Sequence, residues 1–239
     1  MGHTVGMDVR IAVVIPVGPG DAAWRGLLPQ LHALPPGAQL RLVASQPEDA
    51  SPDALAAAAG LPDDRAWVHG SRGRARQMNA GASATRGDLL WFLHADTRFD
   101  DPSRAVAAVL ASAAAHPDAL CYFDLRFADD GPAATAINAT GAWIRSRWLR
   151  MPFGDQGLFL ARATFERLGG FDESLPAAED HALVWAARRA GVPLRAAGAS
   201  ITTSARRYAE HGWARTTWRH LRLTAAQAWR FSRGREHGA

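Results

Sequence analysis

The chain has 239 residues, of which 48% are apolar, so it is long enough to bury one substantial hydrophobic core. Its single cysteine excludes an internal disulfide and a cysteine-based metal cluster, and no stretch approaches the roughly 20 apolar residues of a membrane span. The net charge of +4 is concentrated in residues 206–239, where eight arginines face two glutamates. This distribution argues against a general nucleic-acid-binding surface, and the lack of a leader-like segment predicts a cytoplasmic protein.

The first hundred residues alternate between strand-like and helix-like patterns. Apolar runs bounded by turn residues predict strands at residues 11–17, 40–44, 66–69 and 89–93. Between them, helices are expected at residues 22–33, 53–59 and 73–85. Because successive β–α units build parallel sheets, this order predicts an α/β fold with a mostly parallel, doubly wound sheet and helices on both faces.

The rest of the chain is less regular. Helices are predicted at residues 102–115, 163–168, 177–190 and 212–231, and strands or extended segments at residues 120–127, 157–160 and 192–203. An amphipathic stretch at 135–149 contains Trp143 and Trp148. Buried packing is the expected role of these side chains, and stacking on a sugar or lipid acceptor is the alternative. We expect one domain over residues 1–239. Its parts are a nucleotide-binding half at about 10–100, an acceptor half at about 101–205, and a basic amphipathic helix within 206–239.

The fourth predicted strand ends in His94-Ala95-Asp96. Parallel strands present their carboxyl ends at one edge of the sheet, where open α/β proteins bind their ligands. A carboxylate at that edge can hold a divalent cation, and the cation can hold a diphosphate. Asp96 is therefore a predicted metal ligand, with His94 as a second ligand or a structural hydrogen-bonding group. A helix cap or a turn is the alternative for Asp96.

Two further segments carry polar groups that suit the same chemistry. Two glycines flank Asp155 and Gln156 in the run Phe153-Gly154-Asp155-Gln156-Gly157, and they let the backbone approach a ligand, although a plain turn is the alternative. Glu179 and Asp180 stand at the start of a predicted helix. There they either complement the helix dipole or include a catalytic base that takes a proton from an attacking hydroxyl.

Basic residues dominate the end of the chain. Arg206 and Arg207 follow two hydroxyl-bearing residues at a strand end, so they either clamp a diphosphate or form a solvated pair. On the final predicted helix, five arginines fall within a sector of about 80°, opposite tryptophan and leucine side chains. These arginines are Arg215, Arg219, Arg222, Arg230 and Arg233. Such a helix packs on its own domain or makes peripheral contact with an anionic membrane.

Taken in order, five motifs are similar to those of a known family. They are G-R-A-R-Q-M-N-A-G, L-H-A-D-T, F-G-D-Q-G-L-F, L-G-G-F with A-E-D, and T-S-A-R-R. From Ile11 to Trp218 the chain resembles the family-two inverting glycosyltransferases of the GT-A fold, and more narrowly a small bacterial subgroup often found beside radical-SAM and selenium-related genes. Two elements depart from the family pattern. The first and second strands end in P-V-G-P-G-D and V-A-S-Q, where the family carries residues that grip the nucleobase and ribose.

The resemblance implies roles for individual residues. Asp96, with His94, stands where the family binds Mn²⁺ or Mg²⁺, and Asp180, with Glu179 beside it, stands where the family has its catalytic base. The donor-binding residues that the resemblance implies are Arg72, Arg74, Asn79, Gly154, Asp155, Gln156, Arg206 and Arg207. The implied donor is a nucleoside-diphosphate sugar, and the implied acceptor is an unidentified compound with a hydroxyl group.

The implied reaction is a single in-line displacement that inverts the anomeric carbon, with Asp180 removing the acceptor proton. Two alternatives stay open at this point. One is a nucleotidyl or phospho-group transferase on the same sheet, which would not need Asp180 as a base. The other is a non-catalytic binding protein docked on a membrane. The altered strand ends and the basic tail favour this alternative.

Overall fold

The computed structural model describes residues 9–45 and 67–233. Within these ranges the strands form one seven-stranded sheet in the order β3-β2-β1-β4-β6-β5-β7. The strands are β1 (Ile11–Val17), β2 (Gln39–Ala44), β3 (Trp67–His69), β4 (Leu89–Phe92), β5 (Leu120–Phe127), β6 (Phe159–Ala161) and β7 (Leu194–Thr203). The sequence-predicted α/β class and the mostly parallel sheet are confirmed.

Strand direction decides which ends of the strands meet. β1 pairs in parallel with β2 and β4, β2 with β3, and β5 with β7, whereas β6 runs antiparallel to both β4 and β5. Six strands therefore end at one edge of the sheet, and only β6 begins there. The segment that precedes β6 consequently reaches the same edge as the segment that follows β4.

Helices cover both faces of the sheet, as the sequence predicts. The described helices are α1 (Trp24–Leu27), α2 (Arg74–Ser83), α3 (Pro102–Ala115), α4 (Thr135–Arg147), α5 (Arg162–Arg167), α6 (Glu179–Arg189), α7 (Arg206–His211) and α8 (Trp213–Ser232). Alternate residues of β1 face opposite sides, so Val13 and Ile15 join the core under α1 and α3, while Ala12 and Val14 join the core under α2 and α6. A sheet buried on both faces explains the unbroken apolar run of β1.

The helix expected at residues 22–33 divides into two pieces. Only Trp24–Leu27 is α-helical, and residues Leu28–Ala33 form a 3₁₀ helix. Pro29 lacks the amide hydrogen that a continuing α-helix would use, which accounts for the change. The helix predicted at residues 53–59 lies outside the described residues.

The C-terminal helix α8 packs on the domain by one side and exposes the other. His181 Nδ1 and Gln227 Oε1 lie 3.1 Å apart, and Trp213 Nε1 donates to Asn138 Oδ1 at 2.6 Å. On the exposed side, Trp218, Leu221 and Trp229 are 57–64% accessible. In the described residues no helix is both long enough and apolar enough to cross a bilayer.

The tryptophans of the amphipathic stretch correct an expectation. Trp143 is 41% exposed on α4, and Trp148, just after the helix, is 74% exposed. Buried packing was therefore the wrong prediction for both. The reason is that α4 lays its other side on β5, where Ala142 is buried and Ser146 accepts a hydrogen bond from Tyr122.

Candidate functional site

The sequence motifs meet at the edge of the sheet where six strands end. His94 and Asp96 follow β4, and the 3₁₀ turn Gly154–Gln156 precedes the antiparallel β6. Glu179 and Asp180 open α6. Segments that are widely separated in sequence are therefore brought together by the reversed direction of one strand.

Arg74 connects two of these motifs. Its Nη1 lies 3.5 Å from His94 Nε2, and its Nε lies 3.5 Å from Glu179 Oε1. The pKa of His94 is lowered to about 4, mainly because the side chain is buried and secondly because Arg74 is positively charged. The imidazole is therefore neutral at pH 7. Burial, and next the charge of Asp180, raises the pKa of Glu179. The arginine thus lies between a neutral histidine and a buried carboxyl group.

Asp180 is held in one orientation by backbone amides. Its Oδ2 accepts a 2.5 Å hydrogen bond from Gly154 N, and its Oδ1 accepts a 2.8 Å bond from His181 N. Ala178, two residues before Asp180 and directly before α6, has φ = +69°, a left-handed conformation that a residue with a Cβ adopts at some cost in strain. A carboxylate has about four lone-pair directions, so two remain for a proton or a ligand.

Asp155 is the second carboxylate of the site. Its Oδ1 is buried and makes no hydrogen bond within the described residues. Burial raises the pKa of Asp155 to about 6, and the charges of Asp180 and Asp96 add to this rise, while Arg145 opposes it. A buried carboxylate oxygen without a partner is costly, so its presence points to a ligand that supplies the missing partner.

Asp96 is the third carboxylate, and Thr203 positions it. Thr203, the last residue of β7, donates from Oγ1 to Asp96 Oδ2 at 3.2 Å. Across the described residues no three side chains of the metal-binding types converge closely enough to hold an ion on their own. A site with only one or two carboxylates suits Mg²⁺ or Mn²⁺, because phosphate oxygens and water supply the remaining ligands of these ions. Asp96 and the free oxygen of Asp155 are the oxygen donors that such an ion would use.

The predicted basic pair lies at the start of α7. Asp130 fixes the approach to it, because Ser204 Oγ and Ala205 N each donate to this carboxylate at 2.6 Å. Arg206 and Arg207 are both exposed, and the charge of Arg207 acts on His94. Arg207 is therefore near the site, whereas the charge of Arg206 acts on Asp130 and its amide donates to Ser204 Oγ.

Two of the predicted donor-binding side chains serve the fold instead. Gln156 is fully buried, its Nε2 donates to Phe123 O, and its Oε1 accepts bonds from Arg145, Ser146 and Phe153 N. The structure does not bring the Gln156 side chain to the cleft, because the side chain is fully buried and both its oxygen and its nitrogen already bond to the protein.

The amide of Asn79 is used in the same way. It exchanges hydrogen bonds with the backbone of Phe171 and donates to Glu173, so it fixes the turn before Glu173 and not a ligand. Arg72 stands exposed just before α2, and its carbonyl oxygen accepts a bond from Arg76.

Arg145 belongs to the site although the sequence motifs do not include it, and Tyr208 lies within electrostatic reach of Asp155. The Arg145 guanidinium lies 3.5 Å from the ring centroid of Phe153 and donates to Met151 O and Gln156 Oε1. It also acts electrostatically on Asp155. Arg145 lies on an irregular amphipathic helix, where only its place in a hydrophobic stripe would have suggested burial.

Comparison with known proteins agrees with this geometry. Residues 39–171 match the glycosyl transferase family 2 domain, which is more than half of the chain. No curated protein sequence matches the chain. Among solved structures, the mannosyltransferase PcManGT from Pyrobaculum calidifontis, in complex with GDP-Man and Mn²⁺, superposes with a TM-score of 0.69 at 19% identity. The superposition covers 92% of this chain and 64% of PcManGT.

A second solved structure shares the fold. Residues 1–349 of TarS from S. aureus, in complex with UDP-GlcNAc, superpose with a TM-score of 0.60 at 12% identity, over 82% of this chain and 58% of that one. The chain thus spans less than two thirds of the length of both solved relatives. Because both identities are below 25%, the superpositions show a common GT-A-type fold and nothing beyond the fold. With the match over residues 39–171, the chain belongs to glycosyl transferase family 2.

Proposed function

We propose that the chain is a metal-dependent inverting glycosyltransferase. It transfers a sugar from a nucleoside-diphosphate donor to a hydroxyl group of an acceptor. The observation that carries this proposal is the meeting of Asp96, Asp155 and Asp180 with His94 at the edge where six strands end. The complexes of PcManGT with GDP-Man and Mn²⁺ and of TarS with UDP-GlcNAc support the same donor class.

Asp180 acts as the general base. The acceptor hydroxyl transfers its proton to a free lone pair of the carboxylate while its oxygen attacks the anomeric carbon. The bond from that carbon to the diphosphate breaks on the opposite side, so the configuration inverts. Gly154 N and His181 N hold both carboxylate oxygens in place, so little reorientation is needed during the reaction.

The departing diphosphate gains negative charge, and the chain provides two kinds of compensation. Arg74 and Arg207 lie on the side of His94, and their guanidinium groups form strong paired hydrogen bonds with phosphate oxygens. Asp96 and the unpartnered Asp155 oxygen would hold a divalent ion. Such an ion, when bound, neutralises charge on the diphosphate.

The test uses donor breakdown with water as the acceptor, so the natural acceptor is not needed. GDP-mannose and UDP-GlcNAc are incubated with Mn²⁺, and released nucleotide is measured for the wild type and Asp180→Asn. We expect a loss of at least about 100-fold in the variant, because general-base catalysis contributes about 10²–10⁴ in rate. Proton NMR of the first sugar released from an α-linked donor should show the β anomer. Retention of activity within a few-fold would reject Asp180 as the base and favour a nucleotidyl or phospho-group transferase.

Metal dependence is tested by nucleotide binding. Nucleoside diphosphates at about a hundredfold excess over the dissociation constant should stabilise the protein by about 2.7 kcal/mol when Mn²⁺ is present. Asp96→Asn should abolish this thermal shift. Asp101→Asn is the matched control, because Asp101 caps α3 through Arg104 N and asparagine caps equally well. A shift that persists in Asp96→Asn, or that needs no metal, would contradict the proposed site.

We also propose that α8 makes peripheral contact with an anionic membrane. Trp218, Leu221 and Trp229 are exposed on a helix that carries four arginines, with Arg233 directly after its last residue. Aromatic side chains favour the headgroup region, and each arginine near an anionic surface adds about 1 kcal/mol. The charge of the helix therefore favours anionic lipid over neutral lipid.

A further inference from the structure

A large basic groove lies along α7 and α8. Its volume is about 1080 Å³, far more than a free phosphate ion fills. Four arginines and two histidines line it, together with the apolar side chains of Trp218 and Leu223. The basic lining residues are Arg207, Arg215, Arg219, Arg222, His211 and His220.

The arginines of this groove lack countercharges. Within residues 9–45 and 67–233, the side chains of Arg207, Arg215, Arg219 and Arg222 form no ion pair. Some arginines elsewhere in the described residues do form such pairs, as Arg147 does with Asp124 at 2.8 Å, but none of the four in the groove does. Four like charges around one groove repel one another, and a bound anion relieves that repulsion.

The groove adjoins the proposed catalytic site. Arg207 lines it and also acts electrostatically on His94. His220 lines it as well, and its Nδ1 lies 3.0 Å from the hydroxyl of Tyr208, which is within electrostatic reach of Asp155. A molecule whose anionic end occupies the groove can therefore extend toward Asp155 and Asp180.

We infer that the groove binds a phosphate group carried by the acceptor. This inference rests on the proposed glycosyltransferase function. Guanidinium groups match phosphate oxygens in paired geometry, and several arginines favour a group with more than one negative charge. The remaining volume and the apolar wall accommodate the rest of the acceptor, whose hydroxyl then faces Asp180. The phosphate belongs either to a lipid headgroup or to a soluble phosphorylated sugar.

The experiment compares two double variants of α8 that remove equal charge. Arg215→Gln with Arg219→Gln changes the groove. The control, Arg230→Gln with Arg233→Gln, changes two arginines at the C-terminal end of α8. Both lie outside the groove and contact aromatic rings. Binding is measured by calorimetry with glucose 6-phosphate against glucose, and by sedimentation with phosphatidylcholine vesicles with and without phosphatidic acid. The metal-dependent thermal shift with nucleoside diphosphates is recorded for all three proteins.

The groove variant is expected to lose at least about 10-fold in affinity for glucose 6-phosphate, while the control loses less than about 2-fold. On phosphatidic acid vesicles both variants lose part of the general attraction to the anionic surface, and the groove variant is expected to lose at least about 10-fold more than the control. Preference for glucose 6-phosphate identifies a soluble acceptor, and preference for phosphatidic acid identifies a lipid headgroup. Absence of binding in both arms, or equal losses in both variants, would overturn the inference. So would loss of the nucleotide shift in the groove variant alone, since the groove would then bind the donor. If the wild type binds a phosphate probe but no nucleotide, the proposed function fails and the assignment to an acceptor fails with it.

Discussion

The backbone amide of Gly154 donates a 2.5 Å hydrogen bond to Asp180 Oδ2, so the turn before β6 fixes the carboxylate at the start of α6. A Cβ atom at position 154 would lie 2.9 Å from that same oxygen and 3.0 Å from His94 Nε2. Glycine is therefore required here by close approach, since both side chains occupy the space that any larger residue would need.

Gly154→Ala is expected to reduce donor turnover by at least about 10-fold, because a misplacement of about 1 Å at a reacting centre costs up to about 100-fold. Donor breakdown is measured as nucleotide release. Gly141→Ala is the matched control: no atom lies within 4 Å of its Cβ, and alanine stabilises a helix interior by about 0.5–1 kcal/mol. Equal activity of the two variants would mean that the contact between Gly154 and Asp180 does not matter for the reaction.

The raised pKa of Asp155 predicts a pH dependence of stability. Its carboxyl titrates near 3.8 in the unfolded chain and at about 6 in the folded protein, so the folded state binds the proton more tightly. The stabilisation is fully present below pH 3.8 and is lost as the pH rises through about 6. Asp155→Asn cannot ionise, so without metal or nucleotide it should be more stable than the wild type at pH 7.5, by about 3 kcal/mol at most.

Chemical unfolding at pH 7.5 and at pH 4.5 checks this prediction. The advantage of Asp155→Asn should shrink at the lower pH, where the wild-type carboxyl is protonated. Asp88→Asn is the comparison, because Asp88 lies on the surface beside Arg10 and is 55% exposed. A constant difference between Asp155→Asn and the wild type across both pH values would contradict the assignment of the titrating group.

Gln156 and Asn79 give a prediction that separates fold from ligand binding. Replacing either with alanine leaves hydrogen-bonding groups without a partner, buried ones around Gln156 and partly buried ones around Asn79, so each variant should lose about 2–3 kcal/mol in urea unfolding. Gln39→Ala, which removes only the bond from Arg86 N, should lose less than about 1 kcal/mol. Nucleotide affinity of the folded variants should stay within a few-fold. A tenfold loss of that affinity at unchanged stability would restore both residues to the donor site.

The sequence predicts the strand-end residues well because one rule applies to all of them. An apolar run between Gly87 and Asp96 predicts a strand buried on both faces, and a polar residue that follows such a strand lies at the ligand-binding edge. The placement of His94, Asp96 and the start of α6 follows from patterns of this kind. They depend on neighbours in sequence and not on distant contacts.

The remaining features depend on contacts between distant residues. The contact of Gly154 with Asp180 spans 26 residues, and it exists because β6 runs against its neighbours, which no local pattern indicates. A motif also does not show which of its polar side chains face the cleft. Asp155 leaves an oxygen unpaired, whereas the neighbouring Gln156 points into the protein and is fully bonded.

The exposed side of α8 gives the last prediction. Leu221 and Trp229 are 57% and 61% exposed and lie outside the basic groove, so replacing both with serine removes apolar surface without unpacking the helix. The double variant should keep its melting temperature within about 2 °C, because surface changes rarely exceed about 0.5 kcal/mol. It should lose most of its association with vesicles that contain phosphatidylglycerol, because these side chains enter the headgroup region. Trp213→Ala should instead lower the melting temperature, since it breaks the bond to Asn138. Equal association of the double variant and the wild type, or equal association of the wild type with neutral phosphatidylcholine vesicles, would reject α8 as a membrane-binding face.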